Sequence, residues 1–283
     1  MFCFFVTDLH GDIGKYKRLF KQIKTETPDI VFLGGDLLSA GFFRSALHNE
    51  DILNKTIAAG FQNLKEEMGQ SYPNAFIIMG NDDPRCEEKS LIQYEKKSLW
   101  HYAHHRNFNM QGYFISGYSF VPPTPFLNKD WERYDVSRFV DVGCIAPEEG
   151  YRSTRVSHIE ITNCTIWSDL IAMAGNKNVS KSVWLFHAPP YDTGLDRAAL
   201  DGKMFDHAPL DVHVGSIAIR RFIEQYQPLV TLHGHIHESF SITGVWKECI
   251  GKTVCLSAAG MGRKLALVKF NTENPNAAER LEL

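Results

Sequence analysis

The sequence predicts an α/β fold, and three observations carry that expectation. The first third alternates apolar runs with segments of helical periodicity, in the order strand, helix, strand, helix, strand. The apolar runs read as buried strands, and most stop at Gly, Asp, Asn or His. The chain has 283 residues, 44% of them hydrophobic and 22% charged, enough for a substantial core in one large domain.

Phe2 to Thr7 reads as a strand ending at Asp8, and Asp12 is placed to cap a helix carrying Leu19, Phe20 and Ile23 at helical spacing. Ile30 to Leu33 is a second strand, stopped by Gly34-Gly35-Asp36. From Asp51 to Met68 an apolar stripe (Ile52, Leu53, Ile57, Phe61, Leu64, Met68) predicts a helix that ends at Gly69. Ala75 to Met79 is a third strand, ending at Gly80-Asn81-Asp82. Tyr113 to Val121 predicts a strand, and the turn-rich VPPTPFLNKDWERYD that follows predicts a surface loop. Val183 to Phe186 is a short strand before His187. Ser216 to Tyr226 is helical, and Leu229 to Leu232 leads into LHGHIH. Thr253 to Ser257 and Leu265 to Phe270 predict closing strands, with a polar tail beyond. Without a linker or a repeat, residues 1–283 read as a single domain with loop-rich insertions at about 118–135 and 191–211.

The totals narrow the function. With 30 Lys+Arg against 33 Asp+Glu, the net charge of -3 gives no global attraction to nucleic acid or anionic membrane. No run approaches the roughly 20 apolar residues of a membrane span. The opening MFCFFVTDLH lacks the basic start and cleavage site of a signal peptide. The six cysteines are scattered without a C-x-x-C pair, which suits a reduced protein and argues against a thiol zinc site. A cytoplasmic location is expected.

Potential metal ligands gather where the strands end: Asp8 and His10, Asp36, Asn81, His187, then His235 and His237. In open α/β sheets the carboxyl ends of parallel strands share one edge, where ligands bind. Carboxylates, imidazoles and one amide suit borderline divalent ions better than Ca²⁺ or Mg²⁺. Seven donors exceed one four-coordinate ion and suffice for two if a carboxylate bridges. Blander readings exist for several residues. Asp83 before Pro84 reads as a helix N-cap, and His101, His104 and His105 read as a polar helix face. Arg44, Arg85, Arg197 and Arg263 are candidate phosphate contacts that are more often solvated surface groups.

Asp8-Leu9-His10, Gly35-Asp36, Gly80-Asn81-Asp82-Asp83, His187 and Gly234-His235-Ile236-His237 together resemble the calcineurin-like metallophosphoesterase superfamily, whose pattern runs D-x-H, G-D, G-N-H-D/E, H, G-H-x-H. HAPPYDTGLD from His187, with HVGS at His213, is more narrowly similar to the Icc-related predicted phosphoesterases. The resemblance implies a metallophosphoesterase-type α/β/β/α sandwich, two mixed β-sheets flanked by helices. It implies one metal at Asp8, His10, Asp36 and His237, and another at Asp36, Asn81, His187 and His235, with Asp36 bridging. His233 receives no ligand role. The implied cofactors are two divalent ions, Mn²⁺ first, with Fe, Zn or Ni as alternatives. The chain departs from the pattern at Asp82, which stands where the family carries a histidine beside the phosphate.

The expected activity is hydrolysis of a phosphodiester, nucleotide-like esters included, by metal-bridged hydroxide. The expected partner is a small-molecule phosphate ester, with Arg85 as a substrate contact. Alternatives on the same fold are a non-catalytic metal-binding interaction scaffold, a phosphomonoesterase and a nuclease.

Overall fold

Strand β1 (Phe2–Val6) is buried on both faces, and its alternation shows why. Cys3 and Phe5 face one apolar cluster, while Phe4 and Val6 face another that includes Tyr16, Leu19 and Ile23 of helix α1 (Ile13–Glu26). Strands β2 (Ile30–Gly34) and β3 (Asn74–Ile78) repeat this division. Strands covered on both sides read as unbroken apolar runs, as these do.

The computed structural model describes residues 1–38 and 51–283. Arg44, one of the candidate phosphate contacts, lies outside the described residues. Between β2 and β3, a π-helical stretch (Ile52–Ala58) continues into α2 (Ala59–Met68). Beyond β3 come α3 (Glu88–Glu95), β4 (His101–Tyr102), β5 (Arg106–Met110) and β6 (Tyr113–Tyr118). They are followed by α4 (His158–Asn163), α5 (Ile166–Ala174), β7 (Ser182–Phe186), and a small hairpin of β8 (Met204–Phe205) and β9 (Ala208–Pro209). The chain closes with α6 (Ile217–Tyr226), β10 (Val230–His233), α7 (Ser239–Thr243), β11 (Lys247–Ile250), β12 (Thr253–Ser257), β13 (Ala266–Asn271) and β14 (Asn274–Glu282).

Among the described residues the main strands form two six-stranded mixed sheets, ordered β14-β13-β1-β2-β3-β4 and β11-β12-β10-β7-β6-β5. The inward residues of both meet in one apolar layer. Phe5, Phe32 and Phe76 from the first sheet share it with Ile115, Leu185 and Leu232 from the second. Helices cover the outer faces, so the sandwich is α/β/β/α, as the family resemblance implies. Strands β1, β2 and β3 run parallel, as do β6, β7, β10 and β12, so the loops after β1, β2, β3, β7 and β10 are free to converge. Asp12 caps α1 as expected, its carboxylate accepting from the Lys15 amide at 3.0 Å. None of the six cysteines is paired, and no described helix is long and apolar enough to cross a membrane.

Three local expectations fail. The polar tail is strand β14, pairing antiparallel with β13. The 121–135 segment is irregular but not a surface loop: Lys129, Trp131 and Glu132 are buried, and the Lys129 ammonium meets the Glu132 carboxylate at 2.5 Å. His101, His104 and His105 share no helix. His101 lies in β4, His105 has a left-handed backbone and stacks on Tyr118, and His104 is buried with Nδ1 accepting from the Ser119 amide at 3.0 Å.

Burial, followed by the nearby charges of His105, Arg85 and Arg133, holds the His104 pKa well below 6.5. Its folded value is depressed, so its stabilisation is complete above pH 6.5 and is lost as pH falls toward the folded value. Below pH 6.5 this group contributes a slope of up to about 1.4 kcal/mol per pH unit. His104→Asn keeps an acceptor but cannot protonate. Urea melts at pH 5.0 and 6.5 should therefore differ less for the variant than for the parent, and identical pH sensitivity would remove His104 as the cause.

Candidate metal centre

The loops after β1 and β2 are laced together by backbone hydrogen bonds. The amides of Asp8, His10 and Gly11 donate to the carbonyls of Gly35, Asp36 and Leu37 at 2.8–3.0 Å. The second sheet reaches across. His187 Nδ1 donates to the Gly34 carbonyl at 2.8 Å, and the His235 amide donates to Asp8 Oδ1 at 3.2 Å. Two glycines permit this closeness. A Cβ at Gly80 would overlap the Asp36 carboxylate, and one at Gly234 would overlap the Thr7 hydroxyl.

The local backbone is unusual. Asp8, His10, Asp36 and His235 have φ of 57°, 47°, 51° and 73°. Each is a non-glycine residue in the left-handed region, which costs about 1–3 kcal/mol and persists where the surroundings enforce it, most often at functional sites. Four of the seven sequence-predicted ligands carry this strain.

Asp8, His10, Asp36 and His237 place one candidate ligand atom each within 4.8 Å of one another. The Nε2 atoms of His10 and His237 are 3.1 Å apart, and His237 Nε2 is 3.4 Å from Asp8 Oδ1. On the other side of Asp36, His187 Nε2 lies 3.3 Å from Asp36 Oδ2 and 3.0 Å from Asn81 Oδ1. The His235 ring stands 5.2 Å from that of His187. All seven predicted residues thus come together, with Asp36 between the two groups.

The donor set fits divalent cations. Asp8 and Asp36 are buried, and Asp8 Oδ2 has no hydrogen-bond partner. Leaving a buried carboxylate oxygen unpaired is expensive unless a cation completes it. Without such a cation the site concentrates protons. Burial opposes charge on both His187 and His237, yet Asp36 drives His187 up to about 10 and Asp8 drives His237 up to about 9. Burial would likewise raise Asp36, but the charged His187 beside it holds it well below the carboxylate range. Burial and then the His187 charge push His235 down to about 3, leaving a neutral imidazole. Two buried carboxylates compensated by protonated imidazoles are where metal ions displace protons.

Asp82 points into the same space, its Oδ2 3.7 Å from His10 Nδ1. The charge of Asp36, then burial, raises its pKa to about 7. Asp83 does not cap its own helix. It is fully buried and its carboxylate accepts from the amides of Leu37 and Leu38 in the β2 loop and from Gly80. The N-cap expectation for Asp83 is therefore corrected: it staples the loop bearing Asp36 to the loop bearing Asn81. His233, fully buried, donates through Nδ1 to the Ala188 carbonyl at 2.8 Å and meets the Thr231 hydroxyl, so it braces the strand end.

A cavity of about 480 Å³ opens beside the cluster, with Asp36, Asn81, Asp82, His235 and His237 along its floor. Both loop-rich insertions reach it, through Pro122 to Phe126 and through Ala198 and Leu200. Arg85 is elsewhere: its guanidinium packs over Trp131 and Phe120 and lines a separate cleft with Glu88 and Glu160. Arg197 pairs with Asp201, and Arg263 is exposed; neither lines the cavity. Sequence reasoning missed Asn128, whose amide donates to the Asn81 carbonyl at 3.0 Å, and buried Asp196, which accepts from three backbone amides and from His213. Of the two, only Asp196 had a signal, at the end of the HAPPYDTGLD stretch.

The model of the calcineurin-like phosphoesterase family matches residues 3–239. An uncharacterised protein of Methanocaldococcus jannaschii, MJ1162, is 35% identical over 100 residues, which is 35% of this chain and 39% of that protein's length. The solved structure of TT1561 from Thermus thermophilus superposes with a TM-score of 0.60 at 14% identity, covering 99% of this chain and 98% of its own. Another solved structure gives 0.61 at 15% identity with the same coverage, and at these identities the likeness speaks to fold alone. With the family match running from β1 through β10 and taking in every loop that carries a candidate ligand, the chain belongs to the calcineurin-like phosphoesterase family.

Proposed function

We propose that this protein, acting as one domain, is a phosphodiesterase of small molecules that uses two divalent metal ions, Mn²⁺ by preference, held by Asp8, His10, Asp36 and His237 and by Asp36, Asn81, His187 and His235. The observation that carries this reading is the convergence of strained, buried carboxylates and imidazoles from both sheets on either side of Asp36. When bound, the ions supply an activated water and a clamp for the phosphate oxygens.

The chain's own groups do the rest. Asp36 faces both clusters and holds them in register. The Gly34 carbonyl fixes the His187 tautomer so that Nε2 turns toward Asp36 and Asn81. Asp82 supports a diester over a monoester. Its carboxyl lies at the cavity floor beside Asp36, where ionisation would repel the second negative charge of a monoester dianion.

The test uses purified protein loaded with Mn²⁺, freed of excess metal and assayed by elemental analysis. Two ions per chain and faster turnover of bis(p-nitrophenyl) phosphate than of p-nitrophenyl phosphate are expected, and chelation should abolish both activities. Robust monoesterase activity without diesterase activity would overturn the diester preference. Loaded protein inert toward both esters would overturn the enzymatic reading.

A further inference from the structure

Resting on the phosphoesterase reading, we infer that the cavity beside the metal cluster selects diesters in which one substituent is bulky, uncharged and apolar. The candidate ligands and Asp82 form the floor, and Thr124, Cys144 and Glu238 add polar groups elsewhere in the lining. The rest of the walls is apolar, chiefly Pro122, Pro123, Pro125, Phe126, Leu200 and Val214. At about 480 Å³ the space far exceeds a phosphate and is of the size that takes a ring system or a short chain. Against these apolar side chains a substituent bearing hydroxyls or charges would lose water without a compensating partner, and the Glu238 carboxylate would repel an anionic one.

The walls are preformed, which makes them selective. Three prolines fix the backbone of the Pro122–Phe126 wall. Behind it, the Glu132 carboxylate accepts from the Thr124 amide at 2.8 Å and pairs with buried Lys129, whose ammonium also donates to the Thr124 carbonyl at 2.9 Å. The opposite wall hangs from Asp196, whose carboxylate accepts from the Asp192, Thr193 and Gly215 amides at 3.0 Å each. The His213 imidazole completes that anchor at 2.8 Å. Rigid apolar walls bind apolar groups without an ordering penalty. Phe126 is exposed at the cavity, so an entering substituent would cover apolar surface that water now touches.

The experiment holds the leaving group constant. Mn²⁺-loaded protein is given p-nitrophenyl diesters whose second substituent is methyl, phenyl or hexyl, and kcat/KM is compared. Binding of methyl-, phenyl- and hexylphosphonate is measured in parallel by calorimetry. The larger substituents should exceed methyl by about tenfold or more in both series. The order of phenyl and hexyl then separates a flat ring from a flexible chain. Leu200→Asn and Phe126→Ala, checked for unchanged thermal melting, should each collapse the phenyl-to-methyl ratio. Equal values across the three diesters and the three phosphonates overturn the inference while leaving the phosphoesterase reading intact. Ranked phosphonate binding without any hydrolysis does the reverse. A preference for methyl in both series, or ratios indifferent to both substitutions, also overturns the inference.

Discussion

Asp36→Ala is expected to leave the protein unable to retain either ion and to lower diester hydrolysis by about three orders of magnitude. The expectation follows from position. Among the described residues, Asp36 is the carboxylate lying near both imidazole groups, with Oδ2 3.3 Å from His187 Nε2 and 4.0 Å from His10 Nε2. Its Oδ1 accepts from the Asp82 amide at 2.8 Å, so the side chain cannot swing away without breaking that bond. Alanine would also strain a backbone held at φ 51°. Asn, which tolerates the left-handed region, therefore tests charge and geometry separately. Asp36→Asn should fold with a circular dichroism spectrum like the parent's and still fail to hold metal. A well-folded Asp36→Asn protein carrying two ions per chain at full activity would remove the bridging assignment.

How much of this was legible in the sequence depends on what each residue answers to. The strands β1, β2, β3, β7 and β10 are readable because burial on both faces makes them continuous apolar runs, each stopped by a ligand-type residue. The division into two sheets is not readable from those runs. It depends on which strands pair, and three of the four edges are supplied by β5, β11 and β14, whose exposed faces dilute the apolar signal, while the fourth, β4, is only two residues long. Lys129 and Glu132 look like surface charges because their compensation is visible only when the pair is folded together. His101, His104 and His105 show helical spacing by coincidence; a strand and a turn carry them.

The candidate ligands were identifiable by type and place. Their left-handed backbones were not, since no glycine marks Asp8, His10, Asp36 or His235. Nor could sequence show Arg85 turned toward Phe120 and Trp131. Asp83 misled for a definite reason. A carboxylate before Pro84 meets the local rule for capping, but two amides of the β2 loop and the Gly80 amide of its own loop compete for it and win.

That competition makes Asp83→Ala the most destabilising substitution expected away from the proposed ligands. It strands the amides of Leu37, Leu38 and Gly80, all buried, at about 1–3 kcal/mol each. A total of about 3–9 kcal/mol is a large share of the stability of an ordinary domain. Part of the damage should fall on metal retention, because the same carboxylate ties the Asp36 loop to the Asn81 loop. Asp83→Asn keeps one acceptor oxygen and places an amide nitrogen against an N–H donor, so its loss should be intermediate. Urea denaturation of parent and variants, each metal-free and then with Mn²⁺, separates the two effects. The staple predicts that both variants lose stability in the order Ala then Asn, with Mn²⁺ restoring less of it than it adds to the parent. A metal-free Asp83→Ala unfolding free energy within about 1 kcal/mol of the parent's would mean that the three amides find other partners, and that the two loops do not depend on this side chain.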